Sequence, residues 1–206
     1  MEKQPVAFSS TVLIIGAGPA GLAAAACLTS KRISVLILDR EDTIASLWRY
    51  RTYDRLHLHL KKQYCELPIP FPPSTAVFPS CADFLRYLDN YAETFRLKNL
   101  LRLRRRVDSA QFDRAASGWR VDAVNLETGA VESDGRENDA PVLPVGVNGL
   151  DRFSGETVHA HQFRTGKAYK GLDVLVVGSG NSGMEIACDL AESGARASIV
   201  ARGQIV

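Results

Sequence analysis

Gly16-x-Gly18-x-x-Gly21 and Gly178-x-Gly180-x-x-Gly183 repeat one glycine spacing 162 residues apart, each directly after an apolar run. The runs are Val12 to Ile15 and Val174 to Val177. In such a unit the first glycine permits a tight turn out of a strand. The second lets backbone approach a ligand with no Cβ in the way. The third lets the following helix pack closely on the strand. One copy alone is a weak signal. Two copies, each at a strand–turn–helix junction, restrict the chain to an α/β fold with parallel strands and two dinucleotide sites.

The flanking residues divide the two sites. Leu22 to Thr29 is almost pure Ala and Leu, and Met184 to Glu192 carries apolar residues at helical spacing. Each helix start offers N–H groups and a positive dipole end to phosphates. The first loop is Gly16, Ala17, Gly18, Pro19, Ala20 and Gly21; the second is Gly178, Ser179, Gly180, Asn181, Ser182 and Gly183. Asp39 ends the next strand, 18 residues past Gly21, where an acid accepts from ribose hydroxyls. Arg202 stands 19 residues past Gly183, where a guanidinium pairs with a 2′-phosphate. The first site therefore suits FAD and the second NADPH. Two such sites on one chain serve electron transfer between a nicotinamide and a flavin.

The 206 residues, 46% of them hydrophobic, suffice for one domain or a little more. A net charge of +2 gives no strong steering toward nucleic acid or membrane. Arg102 to Arg106 is the dense basic run, and its alternation reads as one solvated face of a strand. The four cysteines form no CxxC pair. Cys27 and Cys188 are expected as small core residues, without disulfides, in a reducing compartment. No charged n-region with a cleavage site precedes Val12, so a soluble cytoplasmic chain without a membrane span is expected. No metal cluster is apparent.

Between the two units the pattern changes. Pro68, Pro70, Pro72 and Pro73 mark an extended segment. An amphipathic helix is expected from Ser80, its N-cap, to Phe95, with Phe84, Leu85, Leu88, Tyr91, Ala92 and Phe95 as its apolar set. Two antiparallel strands are expected at Leu100–Phe112 and Gly118–Val124. Glu127 to Ala140 is polar and reads as a loop.

Phe153-x-Gly155-x-x-x-His159-x-x-x-Phe163 lies between the two fingerprints. With them it resembles the signature of the flavin-containing monooxygenase class. Ile44 to Trp48, Thr52 to Pro68 and Lys170 to Glu185 are similar, more narrowly, to its plant YUCCA branch, the indole-3-pyruvate monooxygenases of auxin synthesis. The resemblance runs from Val12 to Arg202. It implies FAD and NADPH as cofactors, and O₂ and indole-3-pyruvate as substrates, with indole-3-acetate as product. It leaves the substrate open to a soft nitrogen or sulfur nucleophile instead. Trp48 packs beside the flavin or serves as a core aromatic. His59 occupies the place of an active-site asparagine found in many relatives, Lys62 matches a neighbouring lysine, and Lys61 replaces a proline. His159 belongs to the linker. No catalytic residue is assigned.

Two departures from the family pattern stand out. Val131 to Ala140 is polar and lacks the strand ending in Ala-Thr-Gly, and the chain stops at Val206. A chain that binds FAD without turning over is therefore the rival reading. A disulfide reductase, also built from two such domains, would need the absent CxxC. The fold class expected is α/β: a Rossmann-type FAD-binding domain followed by the beginning of a second Rossmann-type NADP-binding domain. The divisions are 1–150, a linker at 151–169, and 170–206.

Overall fold

The computed structural model describes residues 12–114, 118–128 and 150–201. They fall into two compact units: 12–50, 63–75 and 82–128 in one, and 51–62, 76–81 and 150–201 in the other. Segments 51–62 and 76–81 thus cluster with the second fingerprint, far from it in sequence.

In the first unit β1 (Val12–Ile15) leads through α1 (Pro19–Ser30) to β2 (Val35–Leu38), parallel to it in the register Val12 to Val35 and Ile15 to Leu38. A short helix α2 (Ser46–Tyr50) follows, then α3 (Cys81–Thr94) and β3 (Leu101–Arg102), which pairs parallel with the other edge of β2. A parallel sheet carrying helices hides its strands: Ile37 and Leu38 are fully buried, as are Leu22 and Ala25 of α1. On α3, Phe84, Tyr87, Leu88, Tyr91 and Ala92 are buried, an apolar stripe at spacings of one, three and four. Tyr87, absent from the expected set, is buried because its hydroxyl has partners. It accepts from Leu67 N–H at 2.6 Å and donates to Ile69 C=O at 2.7 Å. Leu85, expected in the core, is half-buried.

The strand expected from Leu100 to Phe112 is broken in two. After β3 the chain turns at Arg104, whose φ of 53° is left-handed. It resumes as β4 (Arg105–Asp113), antiparallel to β5 (Gly118–Asn125) with a bulge between Val107 and Ser109. Arg102 to Arg106 is consequently not one face of a strand. Its backbone carries the exit from the parallel sheet: Asp39 N–H donates to Arg102 C=O, Arg104 N–H to Glu41 C=O and Arg105 N–H to Asp39 C=O, at 3.1, 2.9 and 2.7 Å. Arg105 and Arg106 are paired with Glu127 and Asp108.

In the second unit β6 (Asp173–Val177) and β7 (Arg196–Val200) pair in parallel around α4 (Asn181–Glu192). Ile186, Leu190 and Ala195 form a core with Tyr53 and Phe163, and Val174, Val176 and Ala197 pack against it. The alternate strand positions face away: Leu175, Val177 and Val200 are 62%, 54% and 45% exposed. Cys27 and Cys188 are also exposed, against expectation. Each stands two residues past a buried one, Ala25 or Ile186, which turns it about 200° around the helix from the sheet side. Among the described residues no helix is long and apolar enough to cross a membrane. Val131 to Ala140, the stretch expected to lack the Ala-Thr-Gly strand, lies outside the described residues.

Candidate dinucleotide sites

The two glycine loops share one backbone solution, each built within its own unit. Gly16 and Gly178 have φ of +106° and +114°, a conformation side chains disfavour. Each N–H donates back to the neighbouring strand, Gly16 to Leu38 C=O and Gly178 to Val200 C=O, both at 2.8 Å. A Cβ on Gly21 would lie 2.0 Å from Gly16 O, and one on Gly183 2.2 Å from Gly178 O. The helix therefore sits directly against the turn. A Cβ on Gly18 or Gly180 would meet nothing within 4 Å. The middle glycines border open space, which a closely approaching ligand can fill.

The helix starts supply the donors. Gly18 and Gly180 are extended N-caps without a side-chain cap. The first intrahelical bonds run from Leu22 N–H to Gly18 C=O and from Met184 N–H to Gly180 C=O. The N–H groups before them have no intrahelical acceptor. In the first loop these are Ala20 and Gly21, because Pro19 has no N–H. In the second they are Asn181, Ser182 and Gly183. Both loops thus fit a pyrophosphate, with one more donor in the second.

Asp39 stands at the end of β2, as expected, and also braces its loop. Its Oδ2 accepts from Ala17 N–H at 2.6 Å and its Oδ1 from Glu41 N–H at 2.8 Å. Each oxygen keeps a second lone pair for a ribose hydroxyl. Ala45 N–H donates to Ala17 C=O at 2.9 Å, tying the segment before Trp48 to the same turn. Trp48 is half-buried, its ring 4.7 Å from that of Phe84 and nearly perpendicular to it. It serves as packing for α3 whatever else it touches.

In the second unit Glu185 of α4 meets Tyr53, which is 5% exposed. The Tyr53 hydroxyl donates to the Glu185 carboxylate. Burial first, and then the carboxylate, push the Tyr53 phenol well above its ordinary pKa. Further along α4, Arg55 pairs with Glu192 at 2.5 Å, and Asp189 accepts from Gly166 N–H at 2.7 Å. Tyr53 and Glu185 carry no periodic signal that marks them as partners; Tyr53 merely falls within the family-like run Thr52 to Pro68.

Arg202 lies outside the described residues. His59 is exposed. His159 Nδ1 is 2.6 Å from His161 Nδ1. Among the described residues no group of three or more His, Cys, Asp or Glu side chains could hold a metal.

A family described as flavin-binding monooxygenase-like matches residues 9–205. The chain is 44% identical, over 99% of its length, to a probable indole-3-pyruvate monooxygenase, YUCCA4, of Arabidopsis thaliana, and covers 50% of that protein. It is 45% identical, over 94% of its length, to indole-3-pyruvate monooxygenase YUCCA6 of the same plant, covering 48% of it. It spans about half the length of these curated relatives. A crystal structure of OTEMO in complex with FAD and NADP shares the fold at a TM-score of 0.68 and 23% identity, over 96% of this chain and 39% of that one.

Proposed function

The chain belongs to the flavin-binding monooxygenase-like family, and from that premise we propose that it binds FAD at Gly16–Gly21 and NADPH at Gly178–Gly183 for NADPH- and O₂-dependent monooxygenation. The substrate we assign is indole-3-pyruvate, as in the relatives' names. The balance is indole-3-pyruvate, O₂, NADPH and a proton to indole-3-acetate, CO₂, NADP⁺ and water. FAD, when bound, would supply the redox and O₂ chemistry.

One observation carries the reading: the two loops place the same demands on their three glycines, open at the middle one and closed at the third. The chain's own residues bind and orient. Ala20 and Gly21 would donate to the FAD pyrophosphate and Asp39 would hold its ribose. Asn181, Ser182 and Gly183 would donate to the NADPH pyrophosphate. Preference for NADPH over NADH rests on Arg202. A cytoplasmic location belongs to the same reading and is supported by cysteines held as thiols throughout the described residues.

A second reading, FAD binding without turnover, is favoured by the exposed face Leu175, Val177 and Val200 of the second unit. Expression of the 206-residue chain with FAD, NADPH and indole-3-pyruvate separates the two. Indole-3-acetate formed in step with NADPH consumption supports the first reading. Bound flavin without product supports the second. In either case Gly18→Val puts a side chain into the open approach, and bound flavin per chain should drop steeply. Unchanged flavin content would remove FAD from this loop.

A further inference from the structure

We propose that Arg49 is a positioning residue for the first dinucleotide loop, acting through two peptide planes that aim the Gly18 N–H at the pyrophosphate. The inference rests on reading that loop as the FAD site. A peptide is planar and trans, so its C=O and its N–H point to opposite sides. Whatever holds one of the two sets the direction of the other. The Arg49 Nε–H donates to Ile44 C=O at 3.1 Å. On the far side of the same peptide, Ala45 N–H donates to Ala17 C=O at 2.9 Å. Ala17 C=O belongs in turn to the peptide whose N–H is that of Gly18. The two bonds stand in series, from a guanidinium to the loop, and bonds in such a chain polarise one another.

Each link is held from outside. The Arg49 guanidinium is anchored at its other end on the Asp89 carboxylate of α3. Ala45 has a φ of 52°, a left-handed backbone that a residue with a Cβ keeps only where its surroundings hold it. Ile44, Ala45 and Ala17 are all buried, which leaves their backbone groups little water as a substitute partner. Ala17 is fixed from its other side as well, its N–H donating to Asp39 Oδ2 at 2.6 Å. Both peptides that flank Ala17 are therefore set in orientation. Gly18 N–H is left pointing away from Ala45, and among the described residues no backbone carbonyl takes it. It stands beside the open space at Gly18, where a Cβ would meet nothing within 4 Å. It would join Ala20 and Gly21 as a donor to the phosphates. Of these three N–H groups it is the one that precedes α1, so the helix itself does not orient it.

The test is titration of FAD into the deflavinated 206-residue chain, read by flavin fluorescence and by the amide proton resonance of Gly18. Two neutral substitutions separate position from charge. In Arg49→Gln the side-chain nitrogen stands as many bonds from the backbone as Arg Nε and still donates; in Arg49→Met a methyl takes that place. Both lose the ion pair with Asp89, so its effect cancels from the comparison. Arg49→Met should weaken FAD about fivefold, the scale of one net hydrogen bond. Arg49→Gln should stay within about twofold of wild type. The Gly18 resonance should move downfield with FAD in wild type and in Arg49→Gln, and less in Arg49→Met. Equal losses in the two variants would assign the effect to charge or to the ion pair and overturn the proposal. Unchanged affinity in Arg49→Met overturns it too. Should Arg49→Met fail to fold, Arg49→Gln and the wild type decide: affinity lost in Arg49→Gln, or a wild-type Gly18 resonance that FAD leaves in place, is fatal. A folded wild type that takes up no FAD overturns the FAD reading itself, and this inference with it.

Discussion

Tyr91 shows how one polar atom is set against its surroundings. It is fully buried on α3, and its hydroxyl is the orphan among the described residues: a buried side-chain oxygen with no hydrogen-bond partner. Its ring packs on Phe95 and Tyr87 at 4.7 and 6.4 Å. Burial, aided by Cys27 and Tyr87, pushes its pKa up to about 12 from 10.0. The unfolded chain ionises first, so this contribution to stability is intact below pH 10 and is lost as pH climbs toward 12. Tyr91→Phe removes the unsatisfied oxygen and keeps the ring. It should stabilise the first unit by about 1 kcal/mol at neutral pH. It should also flatten the loss of stability on the alkaline side. Denaturant melts at pH 7 and pH 11 check both, and a destabilised variant at pH 7 would mean that the hydroxyl has a partner.

At the scale of elements, α4 is held by segments remote from it in sequence. Residues 163–169 lie on its flank, and Gly166 is the point of closest approach. A Cβ there would sit 2.5 Å from Asp189 O and 2.9 Å from Leu190 Cα, both of them backbone atoms that cannot swing aside. Gly166 N–H also donates to the Asp189 carboxylate. Gly166→Ala should therefore cost about 1–3 kcal/mol, the usual penalty of overpacking. The loss should appear as a lower unfolding midpoint, with protection from hydrogen exchange reduced in 163–169 and α4. An unchanged midpoint would show that the segment can lift from the helix at no cost. The first unit contrasts with this. Its α1 is tied to β1 and β2 by short connections, and its brace, Asp39, is the residue directly after β2.

For the molecule as a whole, the second unit leaves one side of its sheet in water. Leu175, Val177 and Val200 are apolar and lie about half or more exposed, whereas their strand neighbours Val174 and Val176 pack on the core. A contiguous exposed apolar surface invites association. Leu175→Thr places a β-branched residue in the strand and removes apolar area. In the 206-residue chain it should change stability by no more than about 0.5 kcal/mol. It should also reduce concentration-dependent association in light scattering. A loss above about 1 kcal/mol would show instead that this face is covered in solution.

What the sequence by itself determined is the part governed by short-range pattern. The glycine spacings, the apolar runs before them and the amphipathic stripe of α3 each act within one or two turns. They specified the α/β class, both loops and the place of Asp39. The tertiary structure alone decided what depends on contacts across the chain. Tyr53 reaches Glu185 only because 51–62 folds against α4. Arg102 to Arg106 becomes a turn out of the sheet because Asp39 and Glu41 take up its backbone hydrogen bonds. Cys27 and Cys188 face outward because the sheet lies on the other side of their helices, which composition cannot indicate. Local periodicity specifies which faces are apolar; packing settles which remote residue meets them, since that choice is made by long-range contacts whose partners leave no mark on their neighbours in sequence.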